Sequence, residues 1–165
     1  MNPTRKDALT GNDLELVELE NHGYVAAGKT VAFQPPAGTT TVPLPPALAR
    51  EARKGLVGTM TAHGRSLEGV GIFDGDVLIV RRAESRREIG RDTICIVYIP
   101  ATGEVLAKKI RFMDDVILLR SSNAEVPDIK VKATDVDVRG IVLFLYRKPD
   151  EYGRFDRGYV NDIPF

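Results

Sequence analysis

Hydrophobic positions in the second half of the chain fall in short runs rather than in a helical rhythm. Val, Ile and Leu concentrate at 77–80, 93–99, 105–112, 116–119, 129–131 and 138–146, with turn-forming residues between the runs. Runs of this length, rich in β-branched residues, predict strands. Pro100 and Gly103 mark one tight connection and Asp114 and Asp115 another, so 93–119 reads as an antiparallel meander. A helical pattern is confined to PALAREARK at 46–54, with Pro46 at its start and Gly55 just past its end. Upstream, PPAGTTTVPLPP at 35–46 holds five of the ten prolines. Ring-locked residues without an N–H exclude a central strand or a helix interior there and leave an extended connector. The first 22 residues are mostly polar with no sustained period and read as a mobile arm. The expected organisation is an arm at 1–22, a loop and strand at 23–34, the connector and short helix at 35–54, a β core at 55–148 and a tail at 149–165. The run Ile141, Val142, Leu143, Phe144, Leu145 is too apolar to stand as an exposed edge, which predicts two-fold pairing with a second copy, a homodimer.

Composition narrows the classes of function. The 165 residues carry 23 basic and 23 acidic side chains, for a net charge of zero, which excludes a surface built as a trap for nucleic acid. Direct DNA binding by this chain is therefore not expected. One cysteine, Cys95, and two histidines, His22 and His63, can build neither a disulfide framework nor a Cys/His zinc cage. Cys95 reads as a small core residue, and no metal or cofactor is expected. No stretch has the apolar length of a membrane span or the core of a signal peptide, so the expected location is the cytoplasm. The basic loop at 81–91, with five Arg against Glu84 and Glu88, reads as solvated, with docking of a partner left open.

The densest group of special residues is GRSLEGVGIFDGD at 64–76. Its glycine spacings miss both the dinucleotide fingerprint and the hydrolase nucleophile elbow by one residue. His63 lies three residues before Ser66, but on an extended strand such positions face opposite ways, so a Ser-His-Asp triad with Asp74 or Asp76 is disfavoured. The two acids read as turn and strand-entry residues.

The longer stretch SLEGVGIFDGDVLIV at 66–80 resembles the signature of the LexA/UmuD family of self-cleaving proteins, in which a serine leads into Gly-Ile-x-Asp-Gly-Asp and a strand. GEVLAKKI at 103–110 resembles the family's second motif and puts its lysine at Lys108. GYVAAGK at 23–29 resembles the cleavage site, with the scissile bond between Ala27 and Gly28. Ser122 and Asn123, and the run at 139–146, fit the family's tail. The resemblance implies a mainly β, LexA/signal-peptidase-like domain of several short antiparallel sheets. It further implies a Ser-Lys autoprotease cutting Ala27–Gly28, stimulated by a RecA filament on single-stranded DNA in the SOS response to DNA damage. The short arm before the cut is similar to the UmuD plan, an accessory to a translesion DNA polymerase. The VAAGK sequence is closer to LexA, which leaves open a repressor effector domain without its DNA-binding half, or a dimerisation module that does not cleave. Leu67 replaces the usual Met, a volume-conserving change. A second Ala-Gly pair, Ala37–Gly38, follows two rigid prolines and is discounted as a cut site.

The chemistry such a pair needs is definite. A serine hydroxyl attacks only when a base takes its proton, and lysine is that base only when unprotonated. Burial against apolar neighbours such as Ile79, Leu106 and Ile110 would penalise the ammonium form. Lys109 is the rival, but alternation on a strand lets only one of the two face Ser66. Amide groups at Arg65 and Ser66 are the expected oxyanion donors.

Overall fold

The computed structural model describes residues 14–26, 38–147 and 157–159. The described residues form ten hydrogen-bonded strands: β1 (Glu15–Ala26), β2 (Thr39–Leu44), β3 (Val57–His63), β4 (Val77–Arg82), β5 (Thr93–Ile99), β6 (Glu104–Met113), β7 (Val116–Arg120), β8 (Ile129–Lys132), β9 (Asp137–Tyr146) and β10 (Arg157–Tyr159). The order is β2-β1-β3-β4-β9-β5-β6-β7-β8, with β10 beside β9. The α-helix among the described residues, α1 (Pro46–Arg53), has Pro at its first position and Arg50 and Arg53 in its last turn, where they favour the carbonyl end of the helix dipole.

The fold is mainly β, as the alternating runs require. β5, β6 and β7 form the expected antiparallel meander, with Thr93 opposite Ile110 and Lys109 opposite Arg120. Asp114, at φ 55°, turns the chain between β6 and β7, a backbone region that Asp adopts more readily than most residues. The β1–β2 ladder and the ladders of the remaining strands meet at β1, and the pairing is antiparallel except where β1 runs parallel to β3 and, at Ala26, to β6.

Two expectations change. Residues 15–22, read as part of an arm, belong to β1. Val17 and Leu19 point inward while Glu18 and Glu20 face out, a period-2 pattern too short and too acidic to stand out. Burial of these two side chains, packed with Val42, Leu44 and Leu48, stabilises the fold by about 1.5–3 kcal/mol each before entropy is counted. The other change concerns β9. It pairs with β4 through Val77–Tyr146 to Arg82–Gly140, with β5 through Cys95–Ile141 to Tyr98–Asp137, and with β10 at its end. Its apolar run is covered inside the sheet, so the reason for placing a dimer contact there is gone. Β-structure also occupies part of the connector: Thr39–Leu44 forms β2, an edge strand at this end of the path, where Pro43 is tolerated.

Candidate active site

β3 ends at His63, and Gly64, at φ 109°, takes a backbone angle that disfavours side chains. The chain then folds through a short 3-10 turn at Glu68–Val70 before β4 begins. Asp74 holds the entrance: its Oδ1 accepts from the Gly64 N–H at 2.9 Å and lies 2.9 Å from His63 Nδ1. Asp76 holds the exit. It is buried, accepts from the Phe73 N–H at 2.8 Å, and takes two hydrogen bonds from Arg147, at 2.8 and 2.9 Å. Arg147 Nη2 also donates to the Gly71 carbonyl at 2.8 Å. Both acids therefore shape the loop that presents Ser66.

Ser66 is 0% exposed, and its Oγ has no hydrogen-bond partner among the described residues. A buried hydroxyl left unpaired costs about 1–3 kcal/mol, a cost that a substrate or a catalytic base can relieve. His63 is turned to Asp74 and makes no hydrogen bond to this hydroxyl, so no Ser-His-Asp relay is assembled.

Lys108 is 1% exposed, in the middle of β6. By alternation it shares a face with Leu106 and Ile110, and it stands opposite Cys95 on β5, all of them buried. Burial pushes its ammonium below the ordinary lysine range, with the nearby Asp128 carboxylate opposing the shift. Lys109 lies on the other face and is only half-buried. The same burial raises the Cys95 thiol to about 12, which keeps it protonated and unreactive.

The segment after β7 joins the two. Lys108 Nζ donates to Ser121 Oγ at 2.9 Å. The next residue, Ser122, donates from its backbone N–H to the Ser66 carbonyl at 2.8 Å and from its Oγ to the same oxygen at 3.2 Å. Asn123 Nδ2 donates to the Arg65 carbonyl at 3.1 Å. Three consecutive side chains thus tie the serine loop to the lysine strand. A Cβ at Gly69 would stand 2.0 Å from the Ser122 carbonyl oxygen, so only glycine lets the loop come this close. Ser121 escaped the sequence reading because nothing in its local pattern marks a hydroxyl that meets a lysine thirteen residues earlier. The hairpin connecting β6 and β7 creates that meeting.

The Ala27–Gly28 bond lies outside the described residues. β1 reaches its doorstep: Ala26 pairs with His63 on β3 and with Leu106 on β6, two residues from Lys108. Arg65 is exposed at the surface of the serine loop, paired with Glu68 at 2.9 Å. Among the described residues no group of three His, Cys, Asp or Glu side chains gathers as a metal site, and no helix is long and apolar enough to cross a membrane. In the basic loop, Arg86 stacks over Phe112 at 3.9 Å; just past the loop, Asp92 accepts from Arg111 on β6 and Arg120 on β7. Burial raises the Asp92 carboxyl, but these two guanidinium groups outweigh it and hold it below the usual range.

Comparison with known proteins gives this arrangement a family. The chain is 29% identical over 148 residues to the LexA repressor of Gluconobacter oxydans, a match covering 86% of this chain and 56% of that protein. It is 37% identical over 101 residues to the LexA repressor of Syntrophobacter fumaroxidans, covering 61% and 45%, and 28% identical over 134 residues to that of Novosphingobium aromaticivorans, covering 81% and 53%. The chain thus spans about half the length of these relatives. Residues 20–143, from within β1 to the middle of β9, match the family described as Peptidase S24-like. With three quarters of its length inside that match, and the β fold to go with it, the chain belongs to the Peptidase S24-like family.

Proposed function

We propose that the chain is a self-cleaving serine peptidase, with Ser66 as nucleophile, Lys108 as general base and Ala27–Gly28 as the bond cut. The observation that carries this is the dipeptide Ser121–Ser122, which holds the buried Lys108 ammonium nitrogen with one residue and the Ser66 backbone with the next. In the reaction, neutral Lys108 takes the Ser66 proton as Oγ attacks the Ala27 carbonyl. The tetrahedral oxyanion is met by amide N–H groups at Arg65 and Ser66. The Ala27–Gly28 bond then breaks, and the proton on Lys108 passes to the departing Gly28 amine. A water, deprotonated by Lys108, hydrolyses the Ser66 ester and restores the hydroxyl. Docking the strand excludes water and further disfavours the charged lysine.

In its biological setting this activity belongs to the SOS response to DNA damage, in the cytoplasm, in a homodimer, with a RecA filament on single-stranded DNA selecting the cleavable state. Two roles fit: the effector half of a repressor, and a UmuD-like accessory of a translesion polymerase. The similarity to LexA repressors, of which this chain spans about half, favours the effector half. Incubation with RecA, single-stranded DNA and a nucleotide, followed by intact-mass analysis, tests the reading. Fragments 1–27 and 28–165 that form with wild-type protein and not with Ser66→Ala support it. An uncut wild type under both RecA and alkaline conditions leaves a non-cleaving module instead.

A further inference from the structure

We propose that cutting the chain does not release its N-terminal part: β2, β3 and α1 form a strand-accepting groove that keeps residues 15–26 bound after the 27–28 bond is gone. The inference rests on the cut position given above, but its physical basis is separate.

Among the described residues, the strand partners of β1 all follow the cut. β1 pairs antiparallel with β2 across six positions, from Glu15–Leu44 to Glu20–Thr39. It then pairs parallel with β3 at Asn21, Tyr24, Val25 and Ala26. Val17 and Leu19, 9% and 2% exposed, belong to the same buried cluster as Val42, Leu44 and Leu48. Polar ties follow the same course: Arg53 with Glu15, Thr39 with Glu18, the Thr59 hydroxyl to the Glu20 carbonyl at 3.3 Å, and the Asn21 N–H to the Gly38 carbonyl at 3.2 Å. Hydrolysis at 27–28 breaks none of these. It removes only the tether, which turns an intramolecular pairing into a complex of two fragments.

The groove accepts an extended segment with apolar side chains two residues apart on one face and acids on the other, the pattern of Val17 and Leu19 against Glu18 and Glu20. This is strand addition, in which the backbone ladder supplies affinity and alternate pockets supply selectivity. Departure of β1 would uncover Leu44 and Leu48, 0% and 4% exposed with the strand in place, and would open one edge of β2 and one of β3. Cleavage and release are then two steps, and the second requires a competing strand or a pull on the residues before β1.

Protein cut to completion at alkaline pH and returned to neutral pH is passed over a native sizing column and examined by native mass spectrometry. The expected result is comigration of 1–27 and 28–165 as a one-to-one complex that separates only in denaturant. Separation under native conditions overturns the proposal. Leu19→Ala should raise the dissociation rate about tenfold or more, whereas Leu16→Ala, at a position 77% exposed, should leave it within about twofold. To keep this apart from the Ser66 reading, a Ser66→Ala chain carrying the recognition sequence of an added site-specific protease after Gly28 is nicked by that protease. Comigration there, with no self-cutting of wild type, sinks the Ser66 reading and keeps the retained strand. Separation there sinks the retained strand whatever Ser66 does.

Discussion

β9 and β1 are both long strands, and their contrast explains how this molecule is organised. β9 carries six consecutive buried residues from Gly140 to Leu145 and has neighbours on both edges. β1 buries only alternate side chains in its first half, and its partner β2 ends the hydrogen-bonded path. A strand buried on both faces fixes the frame, while a strand buried on one face near the rim can be moved or lost without dismantling the centre. The residue at the end of β1 lies beside the lysine strand. The cut proposed at 27–28 would follow directly on the part of the fold best able to yield.

The largest effect that tests this division lies at the proposed nucleophile and base. Ser66→Ala and Lys108→Ala should each slow self-cutting by about a thousandfold or more while leaving the sheet intact by circular dichroism. Lys109→Ala should stay within a few-fold of wild type, and an inactive Lys109→Ala beside an active Lys108→Ala would show that the wrong face of β6 had been chosen. Stability comes next. Phe144→Ala in β9 should cost about 3–5 kcal/mol in urea unfolding, against less than about 0.5 kcal/mol for Leu16→Ala on the exposed face of β1; equal costs would erase the contrast between the strands. Arg147→Ala should cost about 2 kcal/mol, because it strips Asp76 of two charge-assisted hydrogen bonds, and it should also slow the cut by loosening the Ser66 loop.

The smallest effect is electrostatic. Burial lowers the Lys108 ammonium and Asp128 opposes that shift, so the rate of cutting should climb with pH and reach half its plateau below the ordinary lysine value of about 10.4. Asp128→Asn removes the opposing charge and should move that midpoint to lower pH, with more cutting near neutrality; a midpoint that moves upward would contradict the assignment. The sign for stability follows from the same group. An ammonium disfavoured in the folded state binds fewer protons there than in the unfolded chain, so Lys108 makes the fold less stable below its folded value and the loss fades as pH rises toward the unfolded value. Lys108→Met should therefore be more stable than wild type at neutral pH and lose that advantage in alkali.

The frame was legible in the sequence because its strands are continuous apolar runs. The run at 93–99 is β5, and those at 77–80, 105–112, 116–119, 129–131 and 138–146 each fall within a strand one or two residues longer. β1 was not legible, since five acids near the N-terminus masked the alternation of Val17 and Leu19, and the prolines around Thr39–Leu44 hid its edge partner. At the site, motif order pointed to Ser66 and placed Lys108 at the motif's lysine position, while strand alternation said only that Lys108 and Lys109 face opposite ways. What could not be read was the bridge of Ser121 and Ser122 and the clamp of Arg147 on Asp76. Each joins residues far apart in the chain, and only the paired strands bring them within reach.

The most direct test of the proposed chemistry is the intact mass of the purified chain after long incubation near pH 10, about the reference lysine value, with Ser66→Ala alongside at several protein concentrations. The account requires two products, residues 1–27 and 28–165, formed from wild type alone with a first-order rate constant that does not change with concentration. No cut, a cut at another bond, or cutting that persists in Ser66→Ala would contradict it.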